Sequence, residues 1–146
     1  HDRVDVRGYE VDDVTRALDL LVDGELPRDR MPGIYRACDL LCHPYRGEGF
    51  GMPVLEAMGC RTPVIGTPTG IMPELIGDGG GMLVKPDDAG DLAIAIERLS
   101  RMKDADWRKM SETAYCTAAR FTWENSVTRF EAALISATNV KNLLAG

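Results

Sequence analysis

The chain has 146 residues, 45% of them hydrophobic and 27% charged, which suits one globular domain with a sizeable core. Its formal charge of −6 argues against a general nucleic-acid surface, but not against a small anionic ligand, which backbone amides bind without net positive charge. No apolar run approaches the roughly 20 residues that span a bilayer, and the opening HDRVDVRGYE carries no signal-peptide pattern, so a cytoplasmic protein without a transmembrane segment is expected, with a place peripheral to the membrane through other parts of the protein as the alternative.

Strand-like and helix-like segments alternate. Residues 3–9 (RVDVRGY) alternate and are β-branched, which predicts a strand. DVTRALDLLVDG fits one helix, or a short helix followed by a strand at 18–22; the turn signal after Val22 favours the second. RDRMPGIYRAC reads as a helix with Pro32 in its first turn and Met31, Ile34, Tyr35 and Cys38 on one apolar face. DLLCHP is a short buried strand stopped by Pro44, and GMPVLEAMG a helix with Pro53 in its first turn. TPVIGT and GMLVKP read as two further buried strands, the latter set off by the glycines Gly79 to Gly81. The last third is helical. DDAGDLAIAIERLSRM starts with Asp caps and carries Leu92, Ala95, Ile96 and Leu99 on one face. DADWRKMSETAYCTAARF follows with Trp107, Met110, Ala114 and Phe121; TWENSVTRFEAALISATN has a Thr122 cap and a stripe of Val127, Phe130 and Leu134. There is no internal repeat, low-complexity tract or flexible linker.

Short, nearly continuous apolar strands between helices imply an α/β fold, a parallel sheet covered on both faces. Such sheets bind ligands at the carboxyl ends of their strands. RGEGFGMPVLEAMG, residues 46–59, follows the strand DLLCHP directly and so lies where a ligand site is expected. Gly49 and Gly51 allow close approach of backbone and tolerate positive φ. The amides near Gly51 and Met52 start a helix without intrahelical partners and form a diphosphate cradle. Glu56 falls about one and a half turns further on, roughly 8 Å along the helix axis. A carboxylate there cannot bind phosphate, but it can accept two hydrogen bonds from the vicinal diol of a ribose. Glu48, before the turn, can meet hydroxyls on whatever the diphosphate carries. The plainer alternative is that Glu56 complements the helix dipole and the glycines serve an ordinary turn.

The remaining polar residues suggest less. Cys38, Cys42, Cys60 and Cys116 form no C-x-x-C pair or zinc spacing and read as small buried thiols in a reducing compartment. His43 precedes a proline and stands alone, which argues against a metal role. Asp12, Asp13, Asp87 and Asp88 read as helix-start caps. Arg46 flanks the loop, where it touches an anion or is solvated, and Tyr45 reads as a packing residue.

YRACDLLCHPYRGEGFGMPVLEAMGCRTPVIGT, followed by GIMPELIGDGGGMLVKPDD, closely resembles the C-terminal nucleotide-sugar-binding lobe of retaining glycosyltransferases of GT-B architecture, family 4 type. The resemblance rests on an E-x7-E motif (Glu48 and Glu56), a G-F-G loop (Gly49, Phe50, Gly51), an E-A-M helix (Glu56, Ala57, Met58), a P-V strand and a P-E pair (Pro73, Glu74). It covers residues 27–86 and extends less sharply to FTWENS. It implies a doubly wound, Rossmann-like sheet and transfer of a sugar from a nucleoside diphosphate sugar with retention at the anomeric carbon. It assigns Glu48 to the donor sugar, where it positions the donor and stabilises positive charge developing on the ring. It assigns Glu56 to the ribose, Gly49, Phe50, Gly51 and Met52 to the diphosphate, and Glu74 to a secondary donor contact. No metal or cofactor is implied. Asp104 and Asp106 mimic the D-x-D of a different glycosyltransferase architecture, but they open a helix, where Asp106 reads as a cap.

Three departures from the family pattern stand out. Arg61 replaces a glycine, at a cost of about 1 kcal/mol if its backbone is left-handed. Gly70 and Ile71 stand where two glycines are usual. The family's glycine-containing first strand, and an Arg and a Lys that neutralise the diphosphate, have no counterpart before Arg3. Residues 1–146 are therefore expected to form a partial lobe. The acceptor lobe and the first strand would be absent, the acceptor (a glycan, lipid or small molecule) would bind elsewhere, and the incomplete sheet would be prone to self-association. The rival readings are a non-catalytic nucleotide-sugar-binding or subunit-interaction module and a GT-B-like sugar-nucleotide epimerase. An acid at Glu48 has no evident use in a scaffold.

Overall fold

The structure is a computed structural model that describes residues 28–47 and 49–144. The segments expected to be strand and helix before Pro27, the caps Asp12 and Asp13, and Glu48 lie outside the described residues.

A 3-10 turn, Arg28–Arg30, leads into helix α1, Met31–Ala37. Strand β1 is Leu41–His43, α2 is Met52–Gly59, β2 is Val64–Gly66, α3 is Met72–Ile76 and β3 is Gly81–Leu83. Proline sits in the first turn of α1, α2 and α3, where its missing amide has no intrahelical partner to lose and its fixed φ suits the helix. Helix α4, Ala89–Ser100, is capped as expected: the Asp88 side chain accepts the Asp91 amide at 2.9 Å. Helix α5, Asp104–Ala118, starts from Lys103 without a side-chain cap. Asp106 thus lies inside the first turn beside Asp104, complementing the dipole rather than capping, which corrects the sequence reading. Helix α6, Trp123–Leu144, is capped by Thr122, whose Oγ1 accepts the Asn125 amide at 3.2 Å.

The three strands are parallel in the order β1-β2-β3, with Leu41, Val64 and Gly81 in register at one end and His43, Gly66 and Leu83 at the other. This order runs in one direction, as in half of a doubly wound sheet. Helices cover both faces. On one face Val54, Ala57 and Met58 of α2, Met72, Leu75 and Ile76 of α3, and Ala114 of α5 pack around Val64. On the other, Ile65 and Val84 pack against Ala95 and Leu99 of α4. Adjacent residues Val64 and Ile65 thus serve opposite cores, as strand alternation requires.

Four expectations about burial need correcting. Among the described residues only β2 is buried along its whole length; Cys42 and Leu83 on its neighbours are exposed. Ile96 is exposed, because Ala95 and Leu99, four residues apart, already align α4 on the sheet. Cys38, Cys42 and Cys116 are exposed and Cys60 half-buried, so the thiols are free but not core residues. Cys38 follows the last turn of α1, Cys42 shares the face of Ile65 on a strand that is outer among the described residues, and Cys116 lies between the inward positions Ala114 and Thr117. The stripe of Val127, Phe130 and Leu134 on α6 is also exposed.

Candidate functional site

Parallel strands in register end together, so the loops at 44–51, 67–71 and 84–88 meet at one edge of the sheet. Side chains join them. Thr67 donates its hydroxyl to the Tyr45 carbonyl, and the rings of Tyr45 and buried His43 lie 4.1 Å apart. Arg46 Nε donates to Asp87 Oδ1 at 2.6 Å, so Arg46 is engaged rather than merely solvated. Both groups are exposed, and the pair contributes about 0–1 kcal/mol; its effect is to tie the first loop to the third.

Gly51 is the residue that makes the first loop turn into α2. It has φ 77° and ψ 50°, the left-handed region, and is buried at the N-cap. Gly49 does not take positive φ, and a Cβ added there would meet nothing within 4 Å, so the expected special backbone falls on Gly51 alone. The amides of Val54 and Leu55 both bond the Gly51 carbonyl, at 3.0 and 3.3 Å, and Pro53 has no amide hydrogen. Among the described residues the amides of Gly51 and Met52 bond no backbone carbonyl, leaving two donors at the positive end of α2. Met52 is exposed, and Phe50 lies edge-on to Phe121 with ring centroids 6.1 Å apart.

Glu56 is exposed on α2. Its Oε2 accepts a hydrogen bond from the Tyr35 hydroxyl of α1 at 3.0 Å. Burial, then this hydrogen bond and the Glu56 charge, push the Tyr35 phenol up to about 12, so it stays protonated as a donor. Glu74, in the first turn of α3, lines a cleft of about 310 Å³ with Asp78, Arg120, Phe121 and Arg129. Arg120 pairs with Asp78 at 2.6 Å. Phe121 joins the two regions, since it touches Phe50 on the loop before α2 and lines the cleft of Glu74. Ile71, standing where the family pattern has glycine, is helical at φ −84° and packs against the core.

The other candidates do not gather. Among the described residues no three His, Cys, Asp or Glu side chains come together to hold a metal. Partial burial pushes the Cys38 and Cys42 thiols up, Cys38 also through Asp39, away from thiolate character. Sequence periodicity had assigned Tyr35 and Phe121 to packing faces. The available signal was the hydroxyl of Tyr35, because a phenol on a packed face needs a partner that phenylalanine would not.

Residues 18–116 match the family model described as "Glycosyl transferases group 1". O-antigen chain mannosyltransferase B of Escherichia coli is 35% identical over 107 residues, covering 73% of this chain and 27% of that protein. Among solved structures, sucrose-phosphate synthase from Thermosynechococcus elongatus superimposes with a TM-score of 0.66 at 28% identity, over 86% of this chain and 35% of that one. Anabaena HepE in complex with UDP and glucose shares the fold, with a TM-score of 0.63 at 24% identity over 85% of this chain and 35% of that one. The chain thus spans about a quarter of the length of the curated relatives it matches. No helix among the described residues is long and apolar enough to cross a membrane.

Proposed function

This chain belongs to the glycosyl transferases group 1 family and has the Rossmann-like fold of a GT-B lobe, and from that premise we propose that it is the donor lobe of an enzyme that transfers a sugar from a nucleoside diphosphate sugar. The observation that carries this reading is the layout of α2. Open amides at Gly51 and Met52 and the exposed carboxylate of Glu56 follow one another from the carboxyl edge of the sheet along a single helix. The amides suit a diphosphate, and the carboxylate, about one and a half turns further along the helix, suits a ribose diol. Phe50 and Gly49 complete the loop, and Glu74 flanks it through Phe121. Anabaena HepE, which shares the fold, binds UDP and glucose, in keeping with such a donor.

The finer reading is what the family resemblance of the E-x7-E motif implies. Glu48 meets the donor sugar and stabilises charge developing on its ring, the configuration is retained, and no divalent ion takes part. The acceptor, a glycan, lipid or small molecule, binds to other parts of the enzyme. The enzyme works in the cytoplasm, a reading supported by four free cysteines. The outer position of β1 among the described residues supports self-association of the chain when isolated.

In the complete enzyme, Glu56→Ala is expected to weaken binding of the nucleoside diphosphate itself by about 1.5–3 kcal/mol, because two hydroxyls lose a charged acceptor. Glu48→Ala should lower turnover more than affinity, and exhaustive chelation should leave transfer intact. Calorimetry and initial rates test this. Equal affinity of wild type and Glu56→Ala would refute the ribose assignment, and loss of activity with EDTA that manganese restores would refute the metal-free mechanism.

A further inference from the structure

The Glu56 carboxylate is held from one side. Its Oε2 accepts the Tyr35 hydroxyl at 3.0 Å, and Tyr35 is anchored in turn: its ring is half-buried and packs against the core cluster formed by α2, α3 and α5. We propose that Tyr35 is a positioning residue for the nucleotide, fixing the Glu56 carboxylate in the orientation that receives the ribose diol. This rests on the reading of Glu56 as the ribose ligand.

A glutamate on an exposed helix face samples many rotamers, and binding a diol would have to freeze them. A donor fixed on the neighbouring helix does this before the ligand arrives, which is preorganisation. The hydrogen-bond count allows it. An ionised carboxylate has about four acceptor sites, Tyr35 takes one and a diol needs two. Among the described residues no other hydrogen bond to the Glu56 carboxylate is present. Burial and the adjacent carboxylate push the phenol up to about 12, so it remains a donor over the whole range in which the enzyme would work. The choice of residue fits as well. Packing against the core needs only the ring, and the hydroxyl is what tyrosine adds to phenylalanine.

The test uses Tyr35→Phe in the complete enzyme and the ratio of affinities for UDP and 2′,3′-dideoxy-UDP, measured by calorimetry, with GDP and 2′,3′-dideoxy-GDP run in parallel and the base that binds used for comparison. The dideoxy nucleotide offers Glu56 nothing to bind, so the ratio isolates the carboxylate. Wild type should prefer the ribonucleotide, and Glu56→Ala should abolish the preference. Tyr35→Phe should reduce it by about three- to tenfold, the range of one hydrogen bond, while changing dideoxynucleotide affinity less than twofold. If Tyr35→Phe weakens both nucleotides equally, or lowers only the melting temperature, Tyr35 is a packing residue and the proposal fails while the role of Glu56 stands. If Glu56→Ala leaves the preference unchanged, or wild type binds neither nucleotide pair, the ribose assignment itself is wrong.

Discussion

Arg61 occupies a position that the backbone reserves for glycine. Its amide bonds the Met58 carbonyl at 3.0 Å and the next amide, that of Thr62, bonds Ala57 at 2.9 Å, which is the Schellman pattern closing α2. The residue between helix and strand then takes φ 69°, left-handed, and pays about 1 kcal/mol for its Cβ. The side chain offsets this. Its guanidinium pairs with Glu112 and lies 4.1 Å from the Tyr115 ring centroid, both on α5. Such exposed contacts contribute about 0.5 kcal/mol for the ion pair and 0.5–1 for the cation–π contact. Arg61→Gly is therefore expected to change unfolding free energy by less than about 1 kcal/mol, one term cancelling the other. Arg61→Ala keeps the strain and loses the contacts, and should destabilise by about 1–1.5 kcal/mol. Urea denaturation of both variants separates the terms. An alanine variant as stable as the glycine variant would show that the left-handed backbone carries no cost here.

At the scale of elements, the tightest constraint lies where β3 meets β2. A methyl group at Gly81 would collide with the Val64 carbonyl oxygen, an acceptor side of the central strand that cannot move without loosening the sheet. Gly81→Ala is expected to cost about 3 kcal/mol or more, in the manner of overpacking against rigid backbone. Gly33→Ala is the contrasting case. A Cβ in α1 meets nothing within 4 Å, and alanine should stabilise by about 0.5–1 kcal/mol through helix propensity. Thermal melts of the two variants should shift in opposite directions, and a neutral Gly81→Ala would mean that the strands pair less closely than described. These positions also show what a sequence discloses at this scale. Proline at the starts of α1 and α2, and the apolar triplets of the strands, made most of the order of helices and strands legible from residue 28 onward, because those signals are local; the five-residue α3 between β2 and β3, too short to show a helical period, was not read as a helix. The need for glycine at Gly81, the first residue of β3, could not be read, since the collision that excludes a side chain comes from Val64, 17 positions away. The same limit hid the site's supports. Arg46 finds Asp87 and Tyr35 finds Glu56 across separations of 41 and 21 residues, which periodicity within a segment does not register. The thiols were misplaced for a related reason: an apolar neighbourhood in sequence does not tell a central strand from an outer one.

For the molecule as a whole, the balance of charge around the donor decides how much these residues can do alone. The chain carries a net charge of −6, and its ligand is proposed to be a diphosphate. Among the described residues the cations on the carboxyl-edge loops are Arg46, whose guanidinium is already held by Asp87 at 2.6 Å, and Lys85. The helix start adds two amides, which direct a phosphate but neutralise only part of it. A charge-assisted hydrogen bond contributes about 1.5–3 kcal/mol, so a diphosphate lacking two of them would bind about 10²–10⁴-fold more weakly than in a complete site. Under the proposed function, other parts of the enzyme supply the remaining affinity and hold the acceptor. The proposal that these residues are one lobe of a larger enzyme agrees with the chain's spanning 27% of its Escherichia coli relative. The 146-residue chain by itself is expected to bind UDP or GDP no more tightly than about 100 μM, which is roughly −5.5 kcal/mol, and to transfer no sugar. Raising the salt concentration should weaken that residual binding, since what remains is exposed electrostatics. Calorimetry on the purified chain, with a radiolabelled-donor assay across several acceptors, tests both parts. Submicromolar binding, or transfer to any acceptor, would mean that Arg46 and Lys85 with the α2 amides already complete the donor site.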